Sequence, residues 1–159
     1  MKIEYNPIGI IHTEFKQTDG MPIQPSGAEG ILGTIELYEE FVPGLKDLEG
    51  FSHIILIYHF HKSLEYNLEV VPFLDDEAHG LFATRAPKRP NQIGLSVVKL
   101  IGIKNNIIEI GNIDVLDGTP LLDIKPYITE FDSHSTNKEG WIEKLSIKSK
   151  DIRADKRFI

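Results

Sequence analysis

FSHIILIYHF, residues 51–60, is the strongest apolar run in the chain. It is rich in isoleucine and aromatic side chains, and it is far shorter than the roughly 20 residues a membrane-crossing helix needs. That combination reads as a core β-strand. Six further runs have the same character: NPIGIIHT (6–13), GILGTIELY (30–38), GLFATR (80–85), IGLSVVKLIGI (93–103), NIIEIGNIDVL (106–116) and PLLDIKPYI (120–128). Asp19-Gly20, Asn105-Asn106 and Asp117-Gly118 punctuate them as turns. Seven short strands with few helices predict a mainly β protein, a small barrel or a sandwich.

Helices are expected in two places. Phe41, Leu45 and Leu48 fall on one helical face, with Pro43 suited to a first turn and Gly50 to a C-terminal cap. A second short helix is expected near 137–145, capped by Asn137 with Glu139 in its first turn. The segments 16–30 and 62–79 read as long polar loops, a length that is usually functional or disordered. The last residues, SKDIRADKRFI, read as a polar tail whose terminal Phe158-Ile159 could dock.

The chain has 159 residues, 41% hydrophobic and 26% charged, which fits one soluble globular domain. The N-terminus lacks the order of a secretory signal, and no run suits a membrane helix, so a cytoplasmic location is expected. There is no cysteine, which excludes disulfides, thiolate zinc sites and cysteine nucleophiles. The net charge of -7 argues against wholesale nonspecific nucleic-acid binding but leaves room for a local basic patch.

TRAPKRPNQIGLS (84–96) is such a patch. It holds Arg85, Lys88 and Arg89 beside Pro87 and Pro90. Proline fixes φ and pushes the preceding residue out of the α region, so these cations are presented from a stiffened backbone. A guanidinium matches phosphate or carboxylate in a bidentate way. The plainer reading is a rigid surface turn with solvated charges. In DGTPLLDIKPY (117–127), alternation places Asp123, Lys125 and Tyr127 on one strand face, and Leu122, Ile124 and Pro126 on the other. That polar row is either a site or an ordinary exposed face.

His53, His59 and His61 are separated by even numbers and share a strand face by alternation. Metal binding is disfavoured, because His53 and His59 would lie about 20 Å apart on an extended strand. Core or interface histidines are the better reading, and no metal is expected. The acidic run Asp75-Asp76-Glu77 reads as solvated. No GxxxxGK[ST], GxGxxG, HExxH or GxSxG motif is present, so the common nucleotide and hydrolase folds have no local support.

FSHIILIYHFH, LFATRAPKRPNQIGLSVVKL and DVLDGTPLLDIKPY, in this order and spacing, resemble the TsaA-like (TrmO) family. IGIIHTEF resembles that family's first strand. The resemblance covers about residues 5–130, leaving 131–159 as a C-terminal helix and tail of a single 1–159 barrel domain. It does not extend to the additional C-terminal domain of longer bacterial members.

The resemblance implies an S-adenosylmethionine-dependent methyltransferase built on a β-barrel. It implies a homodimer with the cofactor near the subunit contact. The implied substrate is N6 of threonylcarbamoyladenosine at position 37 of tRNA. Cofactor positions carry over to Pro22, Ile23 and Gln24, to His61 and Lys62, to Arg85 and Leu95, and to Asp117, Gly118, Thr119 and Pro120. The match at Ile23 is loose, since the family often has arginine there.

On that reading Arg85 pairs with the cofactor carboxylate or an RNA phosphate. The Asp117 turn offers oxygens to the ammonium or sulfonium, with Gly118 allowing close approach, and Leu95 packs on adenine. Lys88 and Arg89 face RNA phosphates. Asp123 or Tyr127 would help remove the N6 proton. Competing readings are a same-fold methyltransferase for another substrate, a non-catalytic cofactor- or nucleotide-binding regulatory barrel, and a structural β-domain.

Overall fold

Alternation along β3 (His53–His59) decides which way the sheet faces. Ile54, Leu56 and Tyr58 are buried, while the residues between them, including both flanking histidines, are half-exposed. The same alternation recurs along β6 (Ile93–Lys104), where Gly94, Ser96, Val98 and Leu100 point inward. A sheet with one apolar face must cover it, and here it does so by closing on itself.

The computed structural model describes residues 1–145 and 149–158. Six strands form a closed, fully antiparallel barrel: β1 (Gly9–His12), β2 (Leu32–Leu37), β7 (Ile107–Gly111), β6, β3 and β8 (Thr119–Pro126), with β8 returning to β1. The barrel expected from the seven apolar runs is therefore present. Its core is Ile11, Ile35, Leu37, Ile54, Leu56, Tyr58, Val98, Leu100, Ile108, Ile110 and Leu121, joined by Ile113 and Val115 from the β7–β8 connection.

Five details depart from simple alternation. The run 80–85 is not a barrel strand. His79–Gly80 (β5) pairs only with Glu69–Val70 (β4), and Leu81–Ala83 then turns as a 3-10 helix around the buried Leu81. Residues 106–116 leave the ladder at Gly111, where Asn112 adopts φ 61°. The helix expected at 41–50 forms as two 3-10 turns, Glu39–Leu45 and Leu48–Gly50, split at Asp47 with φ 68°. The helix expected at 137–145 is a 3-10 turn, Gly140–Lys144, and one α-helical turn, α1 (Thr129–Asp132), follows β8. Finally, the β3–β8 register shifts, so that Ile57 pairs with Asp123 but Tyr58 with Leu121. This bulge passes over Leu122 and keeps both Leu121 and Ile124 against the core.

Candidate functional site

One end of the barrel gathers the last residue of β1, the exit of β3, the entry of β6 and the start of β8. His61 does not continue the β3 face. The chain turns after His59, with His61 N–H donating to His59 O at 2.8 Å, and this swings the imidazole toward the rim. There His61 Nδ1 lies 3.3 Å from Thr119 Oγ1. The Thr119 hydroxyl donates to Leu116 O at 2.7 Å, so its oxygen accepts from His61 Nδ1–H. That assigns the tautomer with Nε2 unprotonated. Burial, then the neighbouring Lys62 and His59, hold His61 below the ordinary histidine range, so the ring is neutral near pH 7.

The Asp117–Gly118 turn sits beside it. Gly118 has φ 74°, which glycine supplies without strain. The Asp117 carboxylate already has partners: Thr13 N–H at 3.0 Å and Lys16 Nζ at 2.7 Å, with His12 at 3.6 Å. The hydrogen bond from Lys16, then that from Thr13, holds the carboxyl below the usual carboxylate range. Its role in the structure is to fasten the start of the first long loop to the turn.

Farther along that loop, Gln24 Oε1 accepts from Arg85 Nη1 at 3.2 Å. The 84–90 corner is braced from within: Arg89 Nη1 donates to Thr84 O at 3.1 Å and to Ala86 O at 3.2 Å, and its guanidinium lies 5.8 Å over the Phe82 ring. Ser63 Oγ donates to Pro87 O at 3.2 Å, tying the corner to the β3 exit. The four distant pieces nominated from the sequence are thus linked around one rim: first loop to Arg85, corner to β3 exit, His61 to the β8 turn, and that turn back to the first loop.

Ser63 and Thr13 are rim residues that the sequence reading missed. Both are buried polar residues whose hydroxyls bind distant backbone carbonyls, Thr13 Oγ1 donating to Val115 O at 2.8 Å. Only the polarity of each beside an apolar run hinted at them. Pro22 is buried, Ile23 and Gln24 half-buried, and Leu95 faces outward from the barrel wall, 52% exposed.

Asp123 and Tyr127 are not brought into this rim. β8 starts at the rim with Thr119 and runs away from it, so Tyr127, eight residues on, lies about 26 Å further along the strand direction. Tyr127 N–H donates to His53 O at the opposite end of β3. Asp123 pairs with Lys125 at 2.7 Å on the outer face. Residue types drew attention to them; strand direction separates them.

Beneath the rim runs a polar chain, buried at Tyr58 and Ser96 and half-buried at Asp114. Tyr58 OH donates to Ser96 Oγ at 3.0 Å, and Ser96 Oγ donates to Asp114 Oδ1 at 2.7 Å. Burial pushes Asp114 up to about 6, opposed by the Ser96 hydrogen bond and the positive charge of Arg85. Burial, then Asp114, also raises Tyr58.

Fold and rim together define a closed antiparallel barrel with a polar, loop-built site at one end. This class is distinct from the open doubly wound sheets that bind nucleotides at their strand ends. Within it, the chain belongs to the TrmO family: the model of the tRNA-methyltransferase O N-terminal domain matches residues 10–133. A probable S-adenosyl-L-methionine-binding protein of Pyrococcus abyssi is 55% identical over 158 residues, covering 99% of this chain and 86% of its own length. A tRNA (adenine(37)-N6)-methyltransferase of Mus musculus is 37% identical over 134 residues, which is 80% of this chain and 31% of that protein. A crystal structure of TrmO superposes with a TM-score of 0.75 at 41% identity, covering 87% of this chain and 63% of that one. TrmO from Pseudomonas aeruginosa gives 0.74 at 40% identity, again with 63% of its length covered. This chain therefore spans a little under two thirds of those crystallised chains.

Proposed function

We propose that this protein is an S-adenosylmethionine-dependent methyltransferase acting on adenine N6 in tRNA, with threonylcarbamoyladenosine at position 37 as its substrate. The observation that carries this reading is the linked rim, which joins Gln24, Arg85, His61, Thr119 and Asp117 in a chain of the tRNA-methyltransferase O family. The names of its relatives support the cofactor and the base.

The residues at the rim fit the chemistry of that cofactor. Arg85 offers a guanidinium to a carboxylate. Pro22, Ile23 and the outward Leu95 offer apolar surface to adenine. Lys62 and the carbonyls of the Asp117–Pro120 turn add polar contacts. The cofactor supplies a methyl group on a sulfonium for direct displacement by nitrogen.

The protein's share is to hold that nitrogen in line and to accept its proton. His61 is the group we place in the second role. It is neutral, its Nδ1–H is committed to Thr119, and its Nε2 lone pair is left available. Asp123 and Tyr127, on the outer face and at the far end of β8, have no such access within one chain. Lys88 and the Arg89 charge flank the rim as contacts for RNA phosphates. Binding in an acidic protein of net charge -7 is then strongly salt-dependent.

We also place a homodimer contact on the outer face of β6 and β3. Ile93, Leu95 and Ile101 are exposed there, beside the half-buried Ile55 and Ile57. Light scattering tests this directly. Among the described residues no helix is long and apolar enough to cross a membrane, and we place the protein in the cytoplasm with its tRNA substrate.

The deciding experiment incubates the purified protein with S-adenosylmethionine and two tRNA preparations, one carrying threonylcarbamoyladenosine and one lacking it. S-adenosylhomocysteine and an N6-methylated nucleoside formed only with the first confirm the reading. Product from the second alone points to another acceptor. Cofactor binding without turnover on either favours the regulatory barrel.

A further inference from the structure

Residues 149–158 lie beyond the segment matched by the family model, which ends at 133. They nevertheless touch the first loop, the 62–79 loop and the buried group under the 84–90 corner. Toward the first loop, Arg153 forms an antiparallel bridge with Pro22. Ala154 N–H donates to Met21 O at 2.7 Å, and Gly20 N–H donates to Ala154 O at 2.8 Å. The turn Ser149–Asp151 packs on Pro25–Gly27, next to Gln24.

Toward the other loop, Arg157 Nη1 donates to Pro72 O at 2.6 Å, and its guanidinium lies 5.4 Å over the Phe73 ring. The Asp155 carboxylate holds that guanidinium in place, with Nη2 at 2.8 Å. Phe158 meets Phe73 edge-on, with ring centroids 4.9 Å apart, and packs on the buried group Val70, Leu81 and Ala86. Leu81 and Ala86 bracket Arg85 in sequence.

The first loop and the 84–90 corner are joined by the Gln24–Arg85 hydrogen bond. Neither residue belongs to the barrel ladder, so the ladder does not set their separation. The same short strap grips the first loop at one end and, through Phe73 and the Leu81–Ala86 group, the base of the corner at the other, within six residues, 153–158. A strap bonded to the first loop by the backbone of Ala154, with half of its side chains exposed, sits at the low end of local stability, so it can undock while the barrel stays folded.

We propose that this C-terminal strap is a positioning element of the cofactor site. Its docking sets the separation of the first loop and the 84–90 corner, and cofactor affinity depends on it. The proposal rests on the cofactor reading given above. Binding and docking are then reciprocally coupled: whatever the docked strap adds to cofactor affinity, bound cofactor adds to strap docking. Lys150, Arg153, Lys156 and Arg157 place trypsin sites inside the strap, so docking can be read as protection from cleavage.

The test uses the full-length chain and three variants. Arg157→Ala and Phe158→Ala loosen the strap at the end remote from Gln24. Ile113→Val trims the barrel core and serves as a destabilised control. S-adenosylmethionine affinity is measured by calorimetry, and tryptic cleavage after Lys150 and Arg153 by mass spectrometry. Each strap variant should weaken the cofactor by about tenfold, the scale of an ordinary coupling between sites. The control should bind as the unaltered chain does, and the cofactor should slow strap cleavage in the unaltered chain.

Unaltered affinity in both strap variants overturns the proposal, as does cleavage indifferent to a cofactor that binds. An unaltered chain that does not bind S-adenosylmethionine overturns the cofactor reading, and the proposal with it.

Discussion

Gln24 and Arg85, 61 positions apart in the sequence, are joined by a hydrogen bond of 3.2 Å that bridges the first long loop and the cationic corner. A glutamine carbonyl satisfies one donor of the guanidinium fork and aims the rest. Arg85 also lies close enough to the Tyr58–Ser96–Asp114 chain for its charge to act on both titrating members. One residue thus ties loop, corner and barrel interior together.

Arg85→Ala should therefore weaken S-adenosylmethionine binding more than Lys88→Ala does. A charge-assisted hydrogen bond to a carboxylate contributes roughly 1.5–3 kcal/mol, or about 10- to 100-fold in affinity. Titration calorimetry on the two variants compares them directly. Equal losses would remove Arg85 from its assigned place.

Gly94 is a packing requirement rather than a flexible point. A Cβ there would stand 2.2 Å from Cε2 of Tyr58 and 2.6 Å from its Cζ. Gly94→Ala must displace that ring, and with it the Tyr58–Ser96 hydrogen bond. Overpacking of this kind costs typically 1–3 kcal/mol. Denaturant unfolding should show a clearly lower midpoint, and an unchanged one would contradict the packing described.

How much of this was legible in the residues can be judged element by element. The mainly β class was, because seven short apolar runs punctuated by turn residues read as strands; barrel and sandwich both stayed open on that reading, and the resemblance pointed to the barrel. The rim was legible only as separate strings. Nothing local says that Ser63 reaches Pro87 or that Thr119 orients His61, since those contacts are made by chain closure. Asp123 and Tyr127 were legible as a polar row, but composition does not say which end of the barrel the row approaches; strand direction does, and within one chain it carries them away from the rim. The run 80–85 misled because a buried Leu81 anchors a turn as readily as a strand.

Asp114 should leave a signature in the pH dependence of stability. Its folded value, about 6, stands above the ordinary carboxylate value of 3.8. Between those values the native state binds more protons than the unfolded state, so this group's contribution falls as pH rises through the window. Above it the full cost of a buried charge remains, eased by Ser96 and Arg85. Asp114→Asn removes that cost while keeping an oxygen for Ser96. Relative to the unaltered chain, the variant should gain thermal stability between pH 4.5 and pH 7. Parallel melting curves across that range would show that Asp114 does not titrate there. The carboxylates lowered by hydrogen bonds, Asp117 among them, act in the opposite direction in both proteins and cancel in the difference.

His61 supplies the sharpest test of the chemistry. With Nδ1–H given to Thr119 and burial disfavouring the charged ring, its Nε2 is a base at neutral pH. Protonation inactivates it, so the acid limb of the kcat profile should lie below the ordinary histidine range, at a pH that the lowered value sets. His61→Gln keeps a hydrogen-bonding side chain but cannot take a proton. At saturating cofactor and tRNA, kcat should fall by about 10²- to 10⁴-fold, the usual worth of a positioned base, and the acid limb should vanish. Thr119→Val frees the tautomer without removing the ring, and should lower kcat less while keeping the limb. Asp123→Asn and Tyr127→Phe, on the outer face and at the far end of β8, should keep near-normal turnover under the same conditions. If His61→Gln turns over normally while either of those two fails, the proton leaves by way of the polar row on β8. The catalytic unit would then have to draw that row from a second chain.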